Sequence, residues 1–376
     1  MTEIGIGVIG GGYMGKAHAV AFGSVGAQFN PQLRPRLEMI AASTPETSES
    51  YRRTYGFARA TADWREVVAD PRVEAIIVAT PQALHRDICA AALALNKHLL
   101  CEKPLAAEHH EAVQIAQSAA QSPAVTMTGF NYIRTPVTQH ALKMVHDGTL
   151  GKIASFRAEH TEDFFADPTA PLTWRSLGRA NGAMGDLAPH ILQATLAFMG
   201  PVDAVMAQIE TVHTHRPDAQ GETQEVTSDD QAFMLCQFAS GVTGQLFFSR
   251  VATGRKMGYA YEIFGDKGAL KFDQEDQNAL HYYDANGPEE TRGFRQILSG
   301  PAHPDYLPFC QGPGHGTGYQ DQIIIEAYHF LEAIANGEPA WPGFDVGLEV
   351  SRLVEAAFVS DAERRWVRVD EIRAAE

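Results

Sequence analysis

Residues 8–18 read VIGGGYMGKAH, and the reading of this stretch decides the fold. The apolar run IGIGV leads into it at residues 4–8, and a helical pattern leads out. Gly10, Gly12 and Gly15 therefore stand in G-x-G-x-x-G spacing at a strand-to-helix junction, the context in which that spacing has physical meaning. The first glycine makes a tight turn, the second lets backbone approach a pyrophosphate, and the third lets the helix lie close on the strand. The free amides at the helix start then face phosphate. A tight strand-to-helix turn alone would account for the glycines, but not for the pattern that follows them.

Outward from this junction, strand-like runs (GIGVIG, LEMIAAS, EAIIVAT, KHLLCEK, AVTMTGF) alternate with helical stretches such as DICAAALALN and EHHEAVQIAQSAAQ. Such alternation predicts βαβ units and a doubly wound parallel sheet covered on both faces. From Lys152 the texture changes. KIASFRAEH, VDAVMAQIE, DQAFMLCQF, GQLFFSR, YAYEIFG and ALKF follow one another across turns with one obvious helix, near residue 185, which predicts an open, mostly antiparallel sheet. The expected class is α/β. A dinucleotide-binding domain is placed at residues 1–128 and a substrate-binding and oligomerisation α+β domain at 129–376, with long loops at 213–230 and 285–318.

Thirty basic against 46 acidic residues leave a net charge of -16, which repels a polyanion and argues against nucleic acid as a partner. Cys89, Cys101, Cys236 and Cys310 are too few and too scattered for a disulfide framework or a zinc site. No basic leader precedes the first apolar run, and no stretch approaches the roughly 18 apolar residues of a membrane span. These features lead to the expectation of a cytoplasmic protein that neither spans nor binds a membrane. His109 and His110 open an amphipathic helix, His213 and His215 flank a strand end, and Cys101 ends a strand; none brings a third ligand, and no metal is expected.

The second strand, LEMIAAS, ends without the acid that would hold the adenosine ribose hydroxyls and favour NAD. Ser43, Thr44 and Pro45 stand there instead; Glu46 comes late, and Arg52 and Arg53 lie in the next helix, so NAD and NADP both stay open. Two further strands end where a doubly wound sheet places its ligand: ATPQALH carries Thr80, Pro81 and His85, and LLCEKPL carries Glu102 and Lys103. EKP is also an ordinary loop with a proline helix start. Downstream, residues 181–190 read NGAMGDLAPH, and four residues of helix would set Asp186 and His190 on one face. A solvated surface pair is the plainer reading of those two alone.

Taken in order, VIGGGYMGKAH, ATPQALH, LLCEKPL, GFNYIR and GAMGDLAPH resemble the glucose-fructose oxidoreductase / inositol dehydrogenase / MocA family of NAD(P)-dependent oxidoreductases over nearly the whole chain. The resemblance implies a Rossmann domain followed by an α/β domain whose open sheet often forms the oligomer interface. It implies catalysis by the lysine of EKP with the aspartate and histidine of D-x-x-x-H, here Lys103, Asp186 and His190. Gln82 stands where the family commonly has Asn, and the connection SVGAQFNPQLRPR at 24–36 is longer than usual and has no assigned role.

The implied reaction moves a hydride between nicotinamide and a secondary alcohol of a cyclic polyol: a sugar, anhydrosugar or inositol. His190 would take the hydroxyl proton, Lys103 would stabilise the developing alkoxide, and Asp186 would hold a neighbouring hydroxyl. Gly182, Ala183 and Gly185 would let the helix start approach the nicotinamide. Candidate cofactor contacts are Gly10, Gly12, Tyr13, Met14, Gly15, Ser43, Thr44, Thr80, Pro81, His85, Glu102, Lys103 and Asn131. Candidate substrate contacts are Lys103, Tyr132, Arg134, His160, Trp174, Arg175, Asp186, His190 and His315, with Asp163 beside them. The alternatives are a keto-sugar or aldose reductase on this fold and a non-enzymatic dinucleotide-sensing regulator; a sensor needs no base and no alkoxide stabiliser. An open sheet must also cover its apolar side chains, which predicts a homodimer or homotetramer.

Overall fold

The computed structural model describes residues 2–372, and they form two compact units. Of the described residues, the first holds 2–134 together with Gly318–Ser351; the second holds Thr135–Thr317 and 352–372. The linear division at residue 129 placed everything downstream in one domain, whereas the structure returns Gly318–Ser351 to the first unit.

In the first unit, β1 (Thr2–Ile9), β2 (Leu33–Ala41), β3 (Arg59–Thr61), β4 (Ala75–Val78), β5 (His98–Glu102) and β6 (Thr126–Gly129) make one parallel sheet in the order β3-β2-β1-β4-β5-β6. β4 and most of β1 and β5 are buried, as strands covered on both faces must be, and this explains their unbroken apolar runs. The helices α1 (Tyr13–Gln28), α2 (Pro45–Tyr55), α3 (Trp64–Ala69), α4 (His85–Ala94) and α5 (His109–Ala120) connect them. Most of the unusually long connection at 24–36 is absorbed by α1 and β2, leaving only Phe29–Gln32 as the link.

The second unit opens with α6 (Pro136–His146), β7 (Ile153–Thr161), α7 (Ala183–Asp186) and α8 (Ala188–Met199). It continues through β8 (Val202–Glu210), the hairpin β9 (His215–Pro217) and β10 (Thr223–Glu225), β11 (Gln231–Phe238), β12 (Thr243–Ser249), β13 (Gly258–Gly265), β14 (Gly268–Asp273), β15 (Ala279–Asp284) and β16 (Arg295–Leu298). Nine strands form a sheet in the order β16-β15-β14-β13-β7-β12-β11-β8-β17, where β17 is Val367–Arg368; β7 and β12 run parallel and every other neighbouring pair is antiparallel. One face is covered by helices: Phe198 of α8 lies 4.7 Å from Tyr261 of β13, whose hydroxyl donates to Thr138 of α6 at 3.2 Å. The other face carries Arg157, Met206, Phe233, Leu235 and Gln245 in alternation with the core positions.

Two long helices depart from the expectation of a single helix after Lys152: α9 (Tyr319–Asn336) and α10 (Phe344–Glu363). Ile323, Ile324, Ala327, Phe330 and Leu331 recur at helical spacing and are buried, so the period was present in the sequence. In the first unit α9 lies on α1, with Phe22 edge-on to Phe330 at 6.5 Å and Phe29 stacked on Tyr328 at 4.4 Å. No helix among the described residues is long and apolar enough to cross a membrane.

The segment bearing Asp186 and His190 is framed from within the second unit. It is not one helix: Leu187 separates α7 from α8, because Pro189 has no N–H to offer the preceding turn. A buried guanidinium holds the approach. Arg250 pairs with Asp230 at 3.0 Å, donates to the Ser228 hydroxyl at 2.8 Å, and donates to the carbonyls of Arg175 and Asn181 at 2.7 and 3.0 Å. Asp229 closes the helix start, accepting from the Met184 amide at 2.8 Å with its carboxylate and from Ala183 at 3.1 Å with its carbonyl. A Cβ at Gly182 would collide with the Asp229 carboxylate and one at Gly185 with the Ala180 carbonyl, so this packing requires both glycines.

Burial pushes the Asp229 carboxyl up to about 6, against the Met184 amide and Arg250, which favour its charge. A folded-state pKa above the unfolded value means stability that is full in acid and lost as pH rises through about 6. Asp229→Asn removes that dependence. Urea unfolding should show the variant gaining on wild type by about 3 kcal/mol between acid and neutral pH; a difference independent of pH would show that the carboxyl is not raised.

Candidate active site

The glycine-rich turn has the geometry that its spacing predicts. Gly10 has φ +96°, open to glycine at little cost, and a Cβ there would strike the Ala79 carbonyl. A Cβ on Gly15 would strike the Gly10 carbonyl, so α1 rests on the turn at backbone contact. Gly12, the residue before α1, has open space where a side chain would be; no side chain caps the helix and its first turn carries no acid. Unsatisfied amides facing open space suit a pyrophosphate, and the chain fits a bound dinucleotide on that ground.

Around this turn the other expected cofactor positions divide. The exposed Tyr13 stacks on Tyr319 at 5.9 Å, Tyr319 lies 6.1 Å from Tyr132, and its hydroxyl reaches the Met14 sulfur at 3.1 Å. Burial first, then Tyr132, Glu102 and Tyr13, drive the Tyr319 phenol far above its usual range and keep it neutral. Ser43 is exposed, whereas Thr44 uses its hydroxyl to cap α2, accepting from Thr47 N at 3.1 Å. Arg52 and Arg53 both bind Glu49, at 2.7 Å each, and hold its carboxyl down at about 2.

His85 is buried, with its ring nitrogens 3.0 and 3.1 Å from the carbonyls of Thr80 and Pro104, so it clasps the two strand-end loops instead of presenting a nitrogen to a ligand. Glu102 turns inward to His18 at 2.7 Å. Asn131 is buried and donates to Gln322 of α9 at 2.9 Å. Arg134, expected at the substrate, is buried, donating to the Trp341 carbonyl with its guanidinium 5.4 Å from the Trp341 ring. Lys103 is half-buried immediately after β5, and Pro81 follows β4, the neighbouring strand in the sheet. Tyr319, His18 and Glu326 were not foreseen: Tyr319 opens α9 directly after the long loop at 285–318, His18 closes the VIGGGYMGKAH stretch without being one of its glycines, and Glu326 sits on a helix face that no local motif marks.

In the second unit His190 is buried, its ring 5.5 Å from that of His160. His160 is itself buried, 3.0 Å from the Leu187 carbonyl through Nδ1 and 3.3 Å from Glu162 through Nε2, which ties β7 to the break between α7 and α8. Asp186 faces the Arg175 guanidinium at 3.7 Å, and that guanidinium lies 4.2 Å over the exposed Trp174 ring. The structure therefore groups Trp174, Arg175 and Asp186, and separately His160 and His190. Asp163 binds Lys256 at 2.7 Å. His315 lies in the loop before α9, its carbonyl accepting from the Tyr306 hydroxyl. His109 contacts Ser351 at 3.3 Å and His213 the Ala166 carbonyl at 3.2 Å; among the described residues no cluster of three or more His, Cys, Asp or Glu is arranged to hold a metal.

Residues 4–130 match the family model described as an oxidoreductase family with an NAD-binding Rossmann fold, and residues 138–271 match that of the GFO/IDH/MocA C-terminal domain. Levoglucosan dehydrogenase of Pseudarthrobacter phenanthrenivorans is 36% identical across 100% of both chains. Inositol 2-dehydrogenase of Rhizobium meliloti is 26% identical, covering 96% of this chain and 98% of its own. Levoglucosan dehydrogenase in complex with NADH and levoglucosan is a solved structure that superimposes with a TM-score of 0.94 at 35% identity, covering 98% of this chain and 100% of that one. On the two matched models and the full-length relative, the chain belongs to the GFO/IDH/MocA family of oxidoreductases, with an NAD-binding Rossmann domain at its N-terminus.

Proposed function

We propose that this enzyme oxidises a secondary hydroxyl of a cyclic polyol, with an anhydrosugar of the levoglucosan type as the first candidate. The observation that carries the reading is the Trp174–Arg175–Asp186 group: an exposed aromatic face with a guanidinium stacked on it and a carboxylate at 3.7 Å. A sugar ring presents a C–H face to an aromatic and hydroxyls to charged acceptors, so such a group matches both sides of one. The 36% identity to a levoglucosan dehydrogenase points the same way.

When bound, the nicotinamide supplies the hydride acceptor or donor. The remaining chemistry belongs to the chain. His190 takes the hydroxyl proton, and its neighbour His160, anchored to the Leu187 carbonyl, limits where that ring can lie. Lys103 donates to the same oxygen and offsets the alkoxide charge that develops there. Asp186 accepts from an adjacent hydroxyl, and Arg175 stands 3.7 Å from that carboxylate. NAD is the preferred form, since the two arginines nearest in sequence to the end of β2 on α2 are already engaged by Glu49. A cytoplasmic setting suits the four cysteines, all free thiols. The outer face of the nine-stranded sheet, with Met206, Phe233 and Leu235 about two-fifths exposed and Phe233 stacked on Phe247 at 4.7 Å, meets a second copy of this chain.

Absorbance at 340 nm across a panel of cyclitols, aldoses and anhydrosugars should show turnover with NAD that Lys103→Ala lowers at least about 1,000-fold while NADH binding persists. Silence across the panel with tight NADH binding would favour the regulator instead. In the same assay NAD should be preferred to NADP, and Glu49→Gln, by releasing both guanidinium groups, should narrow that preference; equal use of the two cofactors by wild type would refute the assignment. Light scattering should report a dimer or tetramer for wild type and a smaller species for Phe233→Glu/Leu235→Glu, and a wild-type monomer at micromolar concentration would exclude this interface.

A further inference from the structure

Three acidic or basic side chains lie buried together in the first unit and have no part in the chemistry above. His18 on α1 is 0% exposed, Glu102 at the end of β5 is 6% exposed and Glu326 on α9 is 1% exposed. His18 Nε2 meets Glu102 Oε1 at 2.7 Å, and the other oxygen of that carboxylate accepts the backbone N–H of Lys103 at 3.3 Å. Behind it stands Gly129, where a Cβ would come 3.1 Å from Oε1, so β6 closes off the far side. Buried ion pairs add little stability over well-packed apolar residues, and a core that keeps three ionisable groups beside a candidate catalytic lysine does so for geometry.

We propose that His18 is a positioning residue for Lys103, acting through Glu102. The inference rests on the reading of Lys103 given above. With His18 in place the carboxylate is committed to the interior and to the lysine's backbone. Without it, a buried anion is left beside the ammonium of the very next residue and draws that ammonium inward, away from the substrate oxygen.

The surroundings support a charged His18. Burial alone would strip its proton, but the hydrogen bond and charge of Glu102 and the charge of Glu326 outweigh burial and raise its pKa above the ordinary histidine value. Glu326 is itself pushed up to about 7, by burial first and by Glu102, against His18 and Arg134. Tyr319 and the buried His85 also face Glu102, the first neutral and the second with its pKa lowered by burial, while His18 is hydrogen-bonded to that carboxylate.

The test pairs a variant that keeps the hydrogen bond with one that does not, and reads the imidazole directly in the protein without cofactor. Nitrogen-15 NMR of wild type should show His18 mostly doubly protonated at pH 6.5, with its titration midpoint above that of an ordinary histidine; a neutral ring at pH 6.5 overturns the proposal. His18→Leu should lower kcat by at least about tenfold with the NADH dissociation constant within about threefold. His18→Gln, which still donates to Glu102, should recover most of kcat but lose the alkaline limb that appears in wild type as His18 gives up its proton. Wild-type kcat and pH profile in His18→Leu overturn the proposal. Should that variant fail to fold, Glu102→Gln replaces it: kcat must fall and the His18 pKa must drop, and an unchanged kcat is a refutation. An active Lys103→Ala would remove the underlying role of Lys103, whereas an inactive Lys103→Ala beside a fully active His18→Leu removes only the role of His18.

Discussion

The contact of α1 with its own preceding turn governs the first unit. Because Gly15 lies on the Gly10 carbonyl with no room for a side-chain carbon, α1 sits at one height and one rotation on the sheet. Three consequences follow from that placement. The uncapped amides after Gly12 face open space, His18 one turn along reaches the end of β5, and Phe22 and Phe29 meet α9. A single backbone approach thus sets the cofactor cradle, the buried charge and the docking of a helix more than 280 residues later in the chain.

Both units use buried charge for the same purpose. Arg250 spends its guanidinium on Asp230, Ser228 and two backbone carbonyls, and Glu102 spends its carboxylate on His18 and one backbone amide. Each arrangement buries ions that would be better solvated in water and recovers the cost only through several well-aligned hydrogen bonds. What such networks supply beyond stability is position: the loop before α7 in one unit, the residue after β5 in the other. The raised Asp229 carboxyl belongs to the same economy, a capping group whose place matters more than its comfort.

The fold was largely legible because both sheets announce themselves locally. Strands buried on both faces are apolar throughout, strands with one solvated face alternate, and G-x-G-x-x-G takes its meaning from the junction it occupies. α9 was equally periodic but followed a Pro- and Gly-rich loop and a long run of strands. Its return to the first unit is a long-range contact that no window of sequence contains. The candidate site was legible in part. Lys103, Asp186 and His190 were named from ordered motifs, yet Arg134, Asn131 and His85, equally polar and equally near those motifs, are spent on Trp341, Gln322 and the carbonyls of Thr80 and Pro104.

What the sequence by itself determined was the parallel and mostly antiparallel sheets, the dinucleotide turn and the family, since each depends on short-range period or spacing that survives in one dimension. Tertiary structure alone decided which polar residues turn inward. A histidine on a helix face reads the same whether it meets solvent, a ligand or Glu102, because its partner comes from a strand 84 positions away. The break at Leu187 lies between these limits: Pro189 predicts it, but its geometry depends on Asp229 and His160, which reach it from other strands and loops.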